Sequence, residues 1–288
     1  LPRPVLTEAA VADTVREVIA EVRQRGDAAL YDLTERFDGV RLESLVVAPD
    51  ARVKALSGLP SDLRDALVVA ETAVRRHHEE ELRTSRETLD RGLRVRTLPR
   101  PMARAGCYVP GGRAAYPSTV LMTAVVARVA GVDQVVVCVP PGAGGRVAEA
   151  TLAAIEVAGV DVVHPVGGAQ AIAAMAYGTE SVRKVDVIVG PGNVYVAQAK
   201  QQVAGAVGVP SAFAGPSEVV VVADGTSPAE FTATDLVAQT EHGPDGMSWL
   251  VTWNEAVADA VDAALDGVLE DSPRGAEIAG RLASSGRC

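Results

Sequence analysis

Residues 185–205 read VDVIVGPGNVYVAQAKQQVAG, and their pattern decides the fold class of the chain. The apolar run 185–189 predicts a strand, and 193–205 predicts a helix that begins after a GPGN turn. The same order of strand, turn and helix recurs along the chain. We predict strands near 134–139, 160–163, 185–189, 218–223 and 248–252, and helices near 118–130, 146–158, 169–177, 193–205 and 228–242. This alternation predicts an α/β fold with mainly parallel sheets and helices on both faces.

A helical region precedes these units. From residue 7 to about residue 83 the apolar positions recur with helical spacing. The first helix has apolar side chains at Val11, Val15, Val18, Ile19 and Val22. We expect Gly26 to end it and a second long helix to follow over roughly 61–83. The second helix carries His77 and His78, whose side chains point about 100° apart on a helix. We interpret this charged stretch as a solvated helix face rather than a metal site.

Composition narrows the possible functions. The 288 residues are enough for two ordinary domains, and 48% of them are hydrophobic while only 3% are aromatic. A core of small and branched side chains is typical of parallel strands covered by helices. The net charge of −10, without any basic block, argues against nucleic-acid binding. We also expect no membrane association, because no apolar run approaches the roughly 18 residues of a membrane helix and no signal region is evident.

The cysteines indicate a reducing compartment. Cys107, Cys138 and Cys288 are odd in number, lie far apart and match no CxxC zinc pattern. We therefore expect free thiols in a cytoplasmic protein, with Cys107 and Cys138 as small buried residues.

Three glycine-containing loops follow predicted strands. PGAGGRVAEA at 141–150 has Val147 where a dinucleotide fingerprint needs its third glycine, so we interpret it as an ordinary turn. GPGN at 190–193 and VGGAQ at 166–170 each follow a strand and open a helix, where free N–H groups attract phosphate. A tight turn that requires glycine explains the GPGN pattern equally well. Two such loops at neighbouring strand ends would frame a single cleft.

The segment SPAEFTATDLVAQTEHGPD, residues 227–245, predicts one helix with a marked start and end. Ser227 is a suitable N-cap, Pro228 suits the first helical position, and Glu230 completes a capping box. Gly243–Pro244 is expected to end the helix, because proline cannot continue it.

The last turn of this helix carries a candidate metal pair. Gln239 and His242 are three residues apart and therefore lie on the same face. Two neutral donors at a helix C-terminus form half of a metal site, although a histidine there is also a common cap of helix carbonyls.

Four long motifs point to a known family. They are GCYVPGGRAAYPSTVLM at 106–122, VGGAQAIAAMAYGTESVRKVDVIVGPGNVYVAQAK at 166–200, AGPSEVVVVAD at 214–224 and AQTEHGPDG at 238–246. In this order and at this spacing they resemble histidinol dehydrogenase, the zinc enzyme that completes histidine biosynthesis. The resemblance extends from the first residues to about residue 270.

The resemblance implies a discontinuous domain organisation. An α/β NAD-binding domain over about 110–216 would be inserted into a first domain formed by 1–109 and 217–288. The fold would then consist of two Rossmann-like lobes with mainly parallel sheets, preceded by the N-terminal helical segment.

The resemblance also implies functional residues. The residues that would bind NAD are Tyr108, Gln170 and Asn193. The residues that would contact the substrate are Ser217, Gln239 and His242, of which the last two would also bind Zn²⁺. Tyrosine, glutamine and asparagine supply the hydroxyl and amide groups that ribose and carboxamide groups require.

Similar enzymes oxidise the amino alcohol L-histidinol to L-histidine in two NAD-dependent steps, through L-histidinal. In them zinc polarises the substrate, a histidine acts as general base and a glutamate activates water. This Glu-His pair is expected beyond residue 288, so no catalytic residue is assigned within the chain. We interpret the chain as a truncated member with negligible turnover, and expect a homodimer for the full-length form.

Two other functions remain open. A family relative that oxidises another small polar alcohol would use the same NAD and zinc scaffold. A non-catalytic NAD-binding fragment would bind the cofactor without turnover.

Overall fold

A computed structural model of the chain describes residues 9–111, 114–211, 218–241 and 247–285. The chain divides into two compact units, a larger one within residues 7–214 and a smaller one within residues 215–288. The inserted domain over 110–216 that the resemblance implies stays a prediction. Within the described ranges, every helix is too short or too polar to cross a bilayer.

The larger unit begins with four helices, which confirms the predicted helical segment. They are α1 (Ala9–Arg25), α2 (Asp27–Asp38), α3 (Pro49–Gly58) and α4 (Ser61–Glu80). The predicted apolar stripe of α1 is buried from Val15 to Val22. Gly26, with φ of 56°, separates α1 from α2 as expected. The helix predicted over 61–83 ends three residues earlier, at Glu80.

A β-hairpin that the apolar pattern did not predict follows α4. Its strands are β1 (Arg86–Asp90) and β2 (Leu93–Thr97), which pair antiparallel. Every residue of both strands is exposed, so the alternation of apolar and polar residues in LRVRT of β2 marks no buried face. Arg91 and Gly92 form the turn, both with positive φ.

A four-stranded parallel sheet lies at the centre of the larger unit, with strand order β5-β4-β3-β6. Its strands are β3 (Arg104–Tyr108), β4 (Gln134–Cys138), β5 (Val162–His164) and β6 (Val187–Val189). The connecting helices are α5 (Pro117–Val120) and α6 (Val126–Val129), joined by a π-helical turn at Leu121–Val125, then α7 (Glu149–Val157), α8 (Gly168–Tyr177) and α9 (Val194–Val203). The α/β class and the parallel sheet are thus confirmed. Strand β3, which the sequence analysis did not predict, is central.

The sheet is buried on both faces by different helices. Val135 and Val137 of β4 join a core cluster with α7, whereas Cys138 joins a cluster with α1, α2 and α8. Side chains of a strand alternate between faces, so each strand feeds both clusters. Cys107 and Cys138 are free and fully buried, as expected, and burial raises the pKa of Cys107 to about 12. Cys288 lies outside the described residues.

The smaller unit pairs two parallel strands with three helices. The strands are β7 (Glu218–Val222) and β8 (Met247–Val251), and the helices are α10 (Ala229–Glu241), α11 (Glu255–Asp271) and α12 (Gly275–Ser285). Leu236, Leu250 and Val261 are buried in its core. The helix predicted over 228–242 is α10, and its predicted end at Gly243–Pro244 lies outside the described residues.

Candidate functional site

The order of the central strands creates a crevice beside the end of β3. The chain runs from β3 outward through β4 to β5, and then returns to the opposite side of β3 to form β6. The connections from β3 and β6 therefore leave in opposite directions. Open α/β sheets bind ligands at such a switch point, outside the carboxyl ends of the strands. Tyr108 is the last residue of β3, and the GPGN loop begins directly after β6.

A cleft of about 450 Å³ opens at this switch point. The structure brings all three predicted NAD-binding residues, Tyr108, Gln170 and Asn193, to its wall. Residues of α1 and the end of α2 complete the lining, together with Pro140 and Pro141 from the loop after β4. Residues that are far apart in the sequence therefore meet in one cavity within the larger unit.

Tyr108 is buried beneath the start of α8. Its hydroxyl oxygen accepts a hydrogen bond from the Gly168 N–H at 3.1 Å, which leaves the hydroxyl proton for another acceptor. Burial raises the pKa of Tyr108 to about 12, and the nearby Asp38 carboxylate contributes to the rise. The phenol is therefore neutral at physiological pH and acts as a hydrogen-bonding group rather than as a base.

The first turn of α8 presents Gln170 to the cleft. The side chain of Gln170 is 1% exposed. Gly168 has φ of 64°, and a Cβ there would approach Gln170 Oε1 to 2.6 Å. The glycine therefore leaves room for the Gln170 amide at a helix N-terminus, where backbone N–H groups have no partner within the helix.

The GPGN loop lies against the end of β3. Gly190 has φ of 106°, and a Cβ on it would overlap the carbonyl oxygen of Tyr108. Only glycine permits this approach. Asn193 caps α9, because its Oδ1 accepts a hydrogen bond from the Val196 N–H at 3.1 Å. Its amide NH₂ group is not part of that cap. The loop thus combines a turn that requires glycine with a polar group at the cleft wall.

Lys200 holds this loop, a role that the sequence analysis missed. Its Nζ is buried and donates hydrogen bonds to the carbonyl oxygens of Gly190 and of Ser211, the latter at 3.2 Å. Burial lowers the pKa of Lys200. A signal was present, because Lys200 is four residues after Val196 and three before Val203, on the apolar face of α9.

Asp38 is a second cleft residue that the sequence analysis missed. It is the last residue of α2, followed by Gly39 with φ of 67°. Aspartate followed by glycine at a helix end is an ordinary turn signal, so the sequence had no mark of a ligand site. Among the described residues its Oδ2 has no hydrogen-bond partner although it is buried.

The predicted metal and substrate residues belong to the smaller unit. Gln239 is buried in α10, with 5% of its surface exposed. Ser217 and His242 lie outside the described residues. Their predicted roles in substrate and zinc binding therefore stay predictions.

The remaining histidines, His77, His78 and His164, are not among the described residues that line the cleft. His164 is buried at the end of β5, where its Nδ1–H donates to the Leu45 carbonyl at 2.6 Å. His77, His78 and Glu81 have ligand atoms within 4.8 Å of one another, closer than the helical angle between the two histidines suggested. His77 is 69% and Glu81 is 60% exposed, so the group lies on a solvated face.

Comparisons with known proteins identify the family of the chain. The family model described as Histidinol dehydrogenase matches residues 1–288. Histidinol dehydrogenase of Parasynechococcus marenigrum is 51% identical over 268 residues, which cover 92% of this chain and 60% of that protein. The enzyme of Methanosarcina mazei is 48% identical over 254 residues, which cover 88% of this chain and 58% of that protein. The chain thus spans about 60% of the length of these curated relatives.

A solved structure shows the same fold. The crystal structure of histidinol dehydrogenase from Elizabethkingia anophelis matches with a TM-score of 0.91 and 33% identity. The match covers 98% of this chain and 66% of that one. The family model, the curated relatives and this fold together place the chain in the histidinol dehydrogenase family.

Proposed function

We propose that this chain provides the NAD-binding part of an enzyme that oxidises L-histidinol to L-histidine through L-histidinal. One observation carries the proposal: Tyr108, Gln170 and Asn193 line one cleft at the strand-order switch. Membership of the histidinol dehydrogenase family supports the substrate and the reaction. The reaction belongs to histidine biosynthesis, and we place the enzyme in the cytoplasm as a homodimer.

The cleft residues fit a dinucleotide. Gln170 and Asn193 offer amide groups, Tyr108 offers a hydroxyl group, and α8 directs its N-terminal N–H groups to the same region. The buried Asp38 Oδ2, without a partner among the described residues, is an acceptor for a ligand donor. When bound, NAD supplies the hydride acceptor for an alcohol or an aldehyde. The chain positions the cofactor and keeps water from its buried side.

We further propose that Gln239 and His242 bind Zn²⁺ and, with Ser217, the substrate. The two proposed metal ligands are three residues apart in the sequence, and Gln239 is buried in α10. Catalytic zinc takes three protein ligands and a water molecule, so further ligands must come from other residues. None of the described residues that line the NAD cleft is a histidine. We therefore assign no general base among the described residues that line the cleft.

The cofactor assignment is tested by replacing Gln170 with methionine, which keeps the length of the side chain and removes the amide. We expect Gln170→Met to weaken NAD binding by about tenfold, because a hydrogen bond to a buried ligand is lost. Isothermal titration calorimetry with NAD measures the change. Gln202→Met is the matched control, since Gln202 donates to the Ala12 carbonyl and does not line the cleft.

Equal NAD affinity in the Gln170→Met variant, the control and the unmodified chain would contradict the cofactor assignment. The substrate is tested by joining the chain to the remaining residues of a full-length relative and following NADH formation with L-histidinol. If this joined protein binds zinc and NAD but oxidises only another small polar alcohol, the NAD and zinc assignments stand and the assignment of L-histidinol as substrate is refuted.

A further inference from the structure

Asp38 is an unusual residue to find at the wall of a cofactor cleft. It is the last residue of α2 and shares the cleft with Tyr108 and Gln170. A helix C-terminus already carries partial negative charge, so a carboxylate there gains nothing from the helix dipole. Burial of the side chain raises the pKa of Asp38 above its usual range. The free protein thus holds a carboxylate in a position that disfavours its charge.

The hydrogen bonding of Asp38 is incomplete as well. Its Oδ2 is buried and has no donor among the described residues. Buried polar atoms are nearly always hydrogen-bonded, so this oxygen requires an explanation. A ligand that brings a hydroxyl donor to the cleft would satisfy it.

The rest of the lining defines the ligand further. Phe37 is 48% and Tyr195 is 44% exposed, and both rings reach the cleft with Pro140 and Pro141. Flat apolar rings of this kind suit a planar heterocycle. Asp38 is the only charged residue among the described residues that line the cleft, so they offer no cation to a phosphate group.

We propose that Asp38 selects NAD over NADP by accepting hydrogen bonds from the ribose hydroxyl groups of the cofactor. The inference rests on the proposed function. A carboxylate accepts from the 2′- and 3′-hydroxyls of NAD, whereas the 2′-phosphate of NADP places negative charge against it and brings no donor. An acidic residue serves this purpose in many dinucleotide-binding folds, but there it follows the second strand of the sheet. Here the carboxylate comes from a helix that precedes the sheet.

The test compares NAD and NADP binding by calorimetry in the unmodified chain and in Asp38→Asn, which keeps the shape and removes the charge. We expect the unmodified chain to prefer NAD by at least about tenfold. Asp38→Asn should weaken the binding of NAD by about fivefold to tenfold and leave the binding of NADP unchanged or make it tighter. Glu35→Gln, on an exposed side chain one turn earlier in α2, should keep the original preference. Asp38→Ser must narrow the preference in the same way.

A thermal melt of the free protein separates selection from a structural role. Asp38 is partly buried and its Oδ2 has no donor among the described residues, so removing its charge should raise the melting temperature of Asp38→Asn by about 2–4 °C. If Asp38 had a structural role, Asp38→Asn would instead lower the melting temperature and weaken the binding of both cofactors alike, and this result would overturn the inference. If Gln170→Met weakens NAD binding while Asp38→Asn keeps the original preference for NAD, the proposed role of Asp38 is refuted and the proposed function stands. If the unmodified chain binds neither cofactor, both fail.

Discussion

Single buried polar residues hold the backbone of the cofactor cleft and its surroundings. Lys200 donates to the carbonyls of Gly190 and Ser211, and the Tyr108 hydroxyl accepts from Gly168. His164 donates to the Leu45 carbonyl and so connects the end of β5 to the loop after α2. The bonds of Tyr108 and His164 join distant parts of the chain, whereas Lys200 bonds to residues 10 and 11 positions away. Losing one partner would leave a buried polar group unsatisfied.

At this scale the clearest prediction concerns the pH dependence of His164. Burial lowers the pKa of His164 below its usual 6.5, and the Leu45 hydrogen bond and Asp27 only partly offset this. Below pH 6.5 the unfolded chain takes up a proton that the folded chain resists. The free energy of unfolding should therefore fall with decreasing pH, by at most about 1.4 kcal/mol per pH unit from this group.

Urea unfolding of the unmodified chain and of His164→Asn, at pH values from about 7.5 to about 5, measures this effect. Asparagine retains a donor for the Leu45 carbonyl but does not titrate. The stability advantage of the unmodified chain should shrink as the pH falls, because the asparagine variant lacks this titration. A pH-independent difference would show that His164 does not titrate in this range.

At the scale of secondary structure, the ends of the elements carry as much information as their interiors. The loops after β3 and β6 and the start of α8 contribute to the cleft lining, and the last two depend on glycines with positive φ, Gly190 and Gly168. The hairpin β1–β2 lacks such support. Both its strands are exposed along their whole length, and a two-stranded hairpin without a covered face is marginally stable.

The hairpin turn is therefore open to improvement by one substitution. Arg91 has φ of 47° and Gly92 has φ of 82°, so both turn residues are left-handed. Asparagine followed by glycine is the preferred pair for such a turn, and Arg91→Asn should stabilise the hairpin by roughly 0.5–1 kcal/mol. Hydrogen exchange of the β1 and β2 amides should slow by about two- to fivefold. Arg100→Asn, outside the turn, should leave their exchange rates unchanged, and equal rates in both variants would refute the expectation.

At the scale of the whole molecule, the larger unit contains the complete described lining of the cofactor cleft. These residues extend from Thr14 to Tyr195, and the unit itself lies within residues 7–214. Two core clusters cover the two faces of its sheet. The smaller unit has its own core around Leu236 and Leu250. The proposed cofactor residues and the proposed metal ligands thus belong to different compact units.

A protein of residues 7–214 alone should accordingly fold and bind NAD. We expect its dissociation constant to lie within about threefold of that of the whole chain, because no described lining residue is removed. Circular dichroism checks folding and calorimetry measures binding, and Gln170→Met in the same fragment is the control. A folded fragment that has lost NAD affinity would show that residues 215–288 contribute to the site. An unfolded one would refute the independence of the larger unit.

The sequence by itself determined much of the fold and the identity of the candidate cofactor residues. Strands β4 to β8 were predicted from apolar runs of strand length that alternate with helical segments. Burial of these elements imposes a periodic apolar pattern on the sequence. The motifs around Tyr108, Gln170 and Asn193 carried the family resemblance. The hairpin was missed although its second strand, LRVRT, alternates apolar and polar residues, and β3 was missed because its RAGCY segment is only weakly apolar.

Only the tertiary structure decided how these pieces meet. The strand order β5-β4-β3-β6 is set by packing between distant segments, and it places the end of β3 beside the loop after β6. Asp38 and Lys200 look like ordinary charged residues in the sequence, yet one lines the cleft and the other anchors its loop. The role of Asp38 depends on its place in the cleft wall, and the role of Lys200 depends on its burial and on the carbonyl oxygens of Gly190 and Ser211. The strand order and the cleft lining join distant segments, which leave no local periodicity, so the folded chain alone reveals them.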